Sequence, residues 1–197
     1  MKNDNFFLFI SSAIFLFSLF LLINNFYSLV SLSTGNVMST VNLTVEEVLL
    51  VNFTVDSIDW GTGSVNANAS FAVLDSLGNV TNGNWDEVDS GFVIENLGNI
   101  NLSMNFSSLK NAENFIGGTN PSYQYMVSDI DAGACTPPAG FSLGSFYEFP
   151  GAGTSVLICD NFAAGRSIKF NLNLSIPYNS KIGNLTDIIS VSIEESD

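Results

Sequence analysis

Ile168, Phe170, Leu172, Leu174 and Ile176 alternate with Lys169, Asn171, Asn173 and Ser175, and Ile100, Leu102, Met104 and Phe106 alternate with Asn101, Ser103, Asn105 and Ser107. A period of two fits only a strand with one apolar and one wet face. The apolar set is expected in the core, with Asn101, Asn105, Asn171 and Asn173 turned outward. Similar but shorter runs recur. Val41, Leu43 and Val45 alternate with Asn42, Thr44 and Glu46, and an apolar run continues over 48–55. Further runs cover 67–74, 92–95, 123–127 and 155–159, and Ile189, Val191 and Ile193 close the series before an acidic tail. Gly, Asn, Asp and Pro punctuate them. The turn at 96–99 predicts either a hairpin or one kinked strand through 92–106. Residues 108–122 and 130–154 read as irregular. With no sustained helical period after residue 40, the expectation is all-β, an antiparallel sandwich of jelly-roll or Ig-like type.

A different kind of segment precedes the strands. Residues 6–23 form an uncharged run of eighteen, largely Phe, Leu and Ile. As a helix it reaches about 27 Å at ~1.5 Å per residue, close to the hydrocarbon thickness of a bilayer. A retained anchor and a cleaved signal both remain open. The run is long for a signal core, while Ser31-Leu32-Ser33 offers a weak small-x-small cleavage pattern. Lys2-Asn3-Asp4-Asn5 lacks the basic-Gly element of a pilin leader. Lys2 is the only basic side chain before Lys110. The positive-inside rule therefore leaves the N-terminus in the cytoplasm and exports the rest. The expected organisation is a membrane segment with linker over 1–35 and an extracellular β-domain over 36–197.

Charge and composition narrow the chemistry. Nineteen acidic residues against five basic ones give a formal net charge of -14, which argues against nucleic acid, whose phosphates demand Lys and Arg. The chain has no histidine. That removes the usual general base and a frequent metal ligand, and with them Ser-His-Asp and Cys-His mechanisms. No carboxylate pair stands out for glycosidase chemistry, and no catalytic residue or cofactor is expected. Cys135 and Cys159 are the only cysteines, and an even pair in an exported domain reads as a disulfide. Asp129, Asp131 and Asp160 are weak candidates for Ca²⁺, without the spacing of an EF-hand loop. Asp86, Glu87 and Asp89 form a second acidic cluster. Trp60 and Trp85 read as packing residues, with sugar stacking as the alternative. Asn-x-Ser/Thr acceptor patterns occur at Asn42, Asn52, Asn68, Asn79, Asn101, Asn105, Asn173 and Asn184. Asn42, Asn101, Asn105 and Asn173 stand opposite apolar faces and are the preferred glycosylation candidates.

Three short motifs carry a resemblance. They are Ile58-Asp-Trp-Gly-Thr-Gly-Ser-Val, Phe92-Val-Ile-Glu-Asn-Leu-Gly-Asn-Ile-Asn-Leu-Ser-Met, and Ile176-Pro177 through Gly183 to Ile189-Ser-Val-Ser-Ile193. Together they resemble exported β-sandwich proteins of archaeal cell surfaces and, more distantly, the camelysin/TasA group of filament subunits. An aromatic usually follows the late Gly in that family, whereas Leu185 stands here. The resemblance implies a jelly-roll-like sandwich with a surface or filament role, and supplies no catalytic residues. The expected function is therefore a non-enzymatic structural protein of the cell surface, a subunit of a filament or layer. Its partners are the membrane, through the N-terminal helix, and copies of itself or other surface proteins. The alternative is a membrane-anchored module binding carbohydrate or a protein partner. Residues 41–55 follow a Ser/Thr/Gly linker. They are expected to pair within their own domain, with completion of a neighbour's sheet as the alternative if copies assemble.

Overall fold

The computed structural model describes residues 11–12, 14–21 and 43–196. Asn42, Lys2, the 31–39 linker and much of the apolar 6–23 run lie outside them. The chain divides into two units, Met1–Thr44 and Val45–Asp197, each taken by itself. In the first, residues 11–12 and 14–21 are helical and solvent-exposed. No helix among the described residues is long and apolar enough to cross a membrane.

The second unit is all-β, with two antiparallel sheets. Its strands are β1 (Val51–Val55), β2 (Phe71–Asp75), β3 (Val80–Thr81), β4 (Phe92–Asn96), β5 (Leu102–Ser108), β6 (Ser122–Asp129), β7 (Cys135–Thr136), β8 (Tyr147–Glu148), β9 (Val156–Phe162), β10 (Ser167–Pro177) and β11 (Ile189–Glu195). A single helical turn, α1 (Ala112–Phe115), is capped by the Asn111 side chain, which accepts from the Asn114 amide at 2.9 Å. The first sheet is organised by β10, the longest strand. One flank of β10 pairs with β6, and the other pairs first with β4 and then with β2. β1, β3 and β8 add to β4, β2 and β6 respectively. Three two-stranded pieces are thus joined by one strand. The second sheet runs β11-β5-β9-β7. From β4 onward every strand lies in the sheet opposite its predecessor.

The alternation read from the sequence becomes the core. Leu102, Met104 and Phe106 of β5 and Ile168, Phe170, Leu172 and Leu174 of β10 are buried, while Ile100 is only half-buried at its edge. Phe106 and Phe170 meet across the two sheets with ring centroids 3.8 Å apart, and Tyr125 stacks on Phe170 at 5.3 Å. Each such ring contributes about 1.5–3 kcal/mol by leaving water.

Three local expectations are corrected. Residues 43–50 are extended but form no strand, so the first ladder starts at Val51. Residues 92–106 form neither a hairpin nor one kinked strand, because β4 and β5 belong to different sheets. Asn171, expected outward, is buried at 1% exposure. The reason is a seam in the first sheet. One flank of β10 changes partner from β4 at Phe170 to β2 at Asn173, so on that flank no strand pairs with 171–172, although β6 pairs with them on the other. Ser76 fills the gap. Its amide donates to the Leu172 carbonyl at 3.0 Å, and its hydroxyl accepts from the Leu172 amide at 3.0 Å. That hydroxyl donates to Asn171 Oδ1 at 3.2 Å. Gly91 closes the seam, where a Cβ would come within 2.5 Å of Asn171 Oδ1 and 2.6 Å of the Phe170 carbonyl.

Candidate functional site: the first strand and its edge

β1 is the outermost strand of the first sheet, paired on one side only. Its residues alternate between half-buried and exposed, and none is fully buried. Val51 and Phe53 pack against the core, with Phe53 edge-on to Phe92 at 6.1 Å. The ladder to β4 slips between Phe53 and Val55, which locally disrupts the pairing. Asp56 and Ser57 follow, both exposed, before Ile58 and Trp60 return to the core. Ahead of β1, residues 45–50 present Val45, Val48, Leu49 and Leu50 to solvent. A small clasp holds them. The Asn99 side chain accepts from the Val48 amide at 2.8 Å and donates to the Glu46 carbonyl at 2.9 Å, as a strand partner would. The Leu97 amide donates to the Leu50 carbonyl at 2.9 Å. Residues 45–55 are therefore an apolar segment at a sheet edge, held by the β4 ladder, backbone bonds to 97–99, the Asn99 clasp and the packing of Val51 and Phe53.

The second long edge belongs to β11, whose outward residues Ser190, Ser192 and Glu194 are exposed. The 97–101 crossover touches both edges. Asn99 holds the segment before β1, and the Asn101 carbonyl accepts from the Ser196 amide at 3.2 Å. The crossover itself is stitched by Asn96, which is fully buried. Its Nδ2 donates to the Ile100 and Phe162 carbonyls at 3.0 Å each, and its Oδ1 accepts from the Gly98 amide at 2.9 Å. All its polar capacity but one lone pair is used.

The structure places the remaining sequence candidates as follows. Cys135 and Cys159 form a disulfide that links β7 to β9, with Cα atoms 5.6 Å apart. A disulfide fits an oxidising compartment outside the cytosol. Asp129 spends both oxygens on backbone amides, of Gly133 and Cys135, each at 3.0 Å. Asp131 accepts from the Ser167 amide at 2.9 Å, and Asp160 is exposed. Asp129 and Asp131 bind backbone amides while Asp160 sits on β9, and no group of three or more His, Cys, Asp or Glu suited to a metal occurs among the described residues. Trp60 and Trp85 are half-buried against the core. Gly63 and Gly83 lie flat on the Trp85 ring, where a Cβ would come within 2.4 and 2.7 Å. Asn101 is exposed and Asn105 half-buried. Asn173 is half-buried too, with Nδ2 on Gln124 at 3.2 Å and a buried, unpartnered Oδ1.

Sequence reasoning missed one polar cluster. Tyr123 OH donates to Asp187 Oδ2 at 3.1 Å, and the Ser108 hydroxyl reaches the same oxygen and the Lys110 carbonyl. Asp187 Oδ1 is buried without a partner. Burial first, and the adjacent Asp187 charge second, push the Tyr123 phenol far above its ordinary range. A phenol so held donates a hydrogen bond but is no base at neutral pH, so the cluster pins the 186–188 segment to β5 and β6. The signal was absent from the sequence, because the three residues are brought together only by the fold. A shallow polar cleft of about 920 Å³ lies between 117–121 and 179–181. No family model, curated protein or solved structure matches the chain.

Proposed function

We propose that this chain is a non-enzymatic structural protein of a cell surface, a subunit of a filament or layer tethered through its apolar N-terminal run. We read the alternation of strands between two sheets as a jelly-roll path. The observation that carries the proposal is the segment 45–55, an apolar stretch on an open sheet edge followed by the exposed pair Asp56 and Ser57. A second copy carries the same segment, so it fits the β4 edge with the same register and needs no new complementarity. The sugar-binding alternative has less to stand on, since both tryptophans pack against the core rather than forming a platform.

Deletion of residues 36–55 tests this reading, with electron microscopy and sedimentation as readouts. The full chain is expected to form filaments or oligomers, and the deleted chain to stay folded and monomeric by near-UV circular dichroism. A deleted chain that folds and still assembles overturns exchange through this segment. A deleted chain that unfolds shows the strand to be a fixed part of its own domain, and overturns it as well.

A further inference from the structure

Two acceptor patterns differ from the others in geometry. Asn68 sits in a turn at φ 77°, closed by the Ala69 amide donating to the Asn66 carbonyl at 3.0 Å. Asn184 follows Gly183, whose surroundings are open. Both asparagines are exposed, as are Ser70 and Thr186, the hydroxyl residues of their patterns. Neither asparagine side chain makes a hydrogen bond to any described residue. Among the described residues the other patterns are encumbered. Asn79 Nδ2 donates to both oxygens of Asp75, at 3.1 and 2.9 Å. Asn173 is bound to Gln124 as above, and Asn105 Nδ2 reaches Glu194 at 3.4 Å. The Thr54 hydroxyl of the Asn52 pattern donates to the Val93 carbonyl at 3.4 Å. Asn101 keeps its nitrogen free, but its carbonyl is held by the Ala164 amide at 3.1 Å.

Asn68 lies beside the end of β10, and Asn184 comes six residues after Tyr178. β2 begins where β10 ends, with Phe71 opposite Pro177, and the Tyr178 amide donates to the Ser70 carbonyl at 3.0 Å. Phe71 is exposed by 49%, Tyr178 by 73% and Ile182 by 101%. A cover over these side chains would take apolar surface out of water.

We propose that Asn68 and Asn184 are N-glycan acceptors, and that their sugars cover Phe71, Tyr178 and Ile182. The donor is a lipid-linked oligosaccharide activated as a phosphate or pyrophosphate ester, used by a transferase. A bond forms between the asparagine Nδ2 and the anomeric carbon as that carbon's bond to the phosphate oxygen breaks. The phosphate leaves with the electron pair, and the amide gives up one proton. On Asn79 and Asn173 a sugar would instead crowd a nitrogen already hydrogen-bonded inside the fold, to Asp75 and to Gln124.

The test is export of the full chain in a host with N-glycosylation, followed by chymotryptic glycopeptide mass spectrometry of the purified protein. Glycan is expected on Asn68 and Asn184 and none on Asn79 or Asn173. Ser70→Ala and Thr186→Ala should each remove one glycan, and Thr186→Ser should keep it. The Asn68→Gln/Asn184→Gln protein should bind more of an apolar dye than the glycosylated one. Bare Asn68 or Asn184, or glycan on Asn79 or Asn173, overturns the assignment. Unchanged dye binding overturns the covering role.

Discussion

Phe106 touches three other rings, Phe170, Tyr125 and Phe149, and so joins the two sheets at their centre. Phe106→Ala or Phe170→Ala should cost about 3–5 kcal/mol in urea unfolding, through lost transfer energy and the cavity left behind. Ser76 is small, yet its hydroxyl serves two buried groups in the β10 seam. Ser76→Ala leaves Asn171 Oδ1 and the Leu172 amide without that partner. The same measurement should show a loss of about 1–3 kcal/mol, large for the removal of one oxygen. Tyr123 adds a pH dependence. Its phenol is raised above the ordinary value of 10.0 in the folded chain. The folded state therefore holds the proton more tightly than the unfolded state. Its stabilising effect is complete below about pH 10 and is lost as pH rises above that value. Absorbance titration of the phenols should show one tyrosine ionising only as the protein unfolds, and Tyr123→Phe should remove that late step.

At the scale of elements, the disulfide closes a loop of sequence separation 24 between β7 and β9. Replacing both cysteines with serine should lower stability by roughly 3–4 kcal/mol in the chain-entropy account. Thiol labelling of the native, unreduced protein should find neither cysteine. This bond and the long strands were legible in the sequence, for identifiable reasons. β5, β10 and β11 each bury one face, so the period of two had to be written into them. The two-residue strands β7 and β8 were not legible, because a pair of residues carries no period and the 130–154 region is rich in turn formers. The 96–99 turn misled for another reason. Its Asn and Gly do mark a change of direction, but local chemistry cannot tell a return along one sheet from a step to the other. Only the distant Phe162 carbonyl, taken by Asn96, settles the direction. Asn171 was misplaced because periodicity assumes that a central strand is paired on both flanks along its whole length, and one flank is open at 171–172. The edge segment 45–55 was recognisable as apolar, though its clasp by Asn99 depends on residues about 50 positions away.

For the molecule as a whole, the proposed topology predicts that protease added to intact cells reaches the domain that begins at Val45. Protection until lysis would contradict it. The path of the chain also has a bearing on when it can become a domain at all. Beyond the β2–β3 pair, few of its ladders join near neighbours, and the bond from Leu172 to Ser76 spans 96 residues. Pairing at such distances is slow, of order milliseconds to seconds, because the entropy of closing each loop comes before any reward. β10 must arrive before β1–β4, β2–β3 and β6–β8 are anything more than separate ribbons, and β11 must arrive before the second sheet has its last member. For a chain exported as proposed, this delay is useful. The polypeptide stays pliable while it threads a narrow channel, and locks only once its C-terminal third has come through. The last strands to emerge are the keystones, so truncation near residue 160 should yield a chain that is exported but never folds.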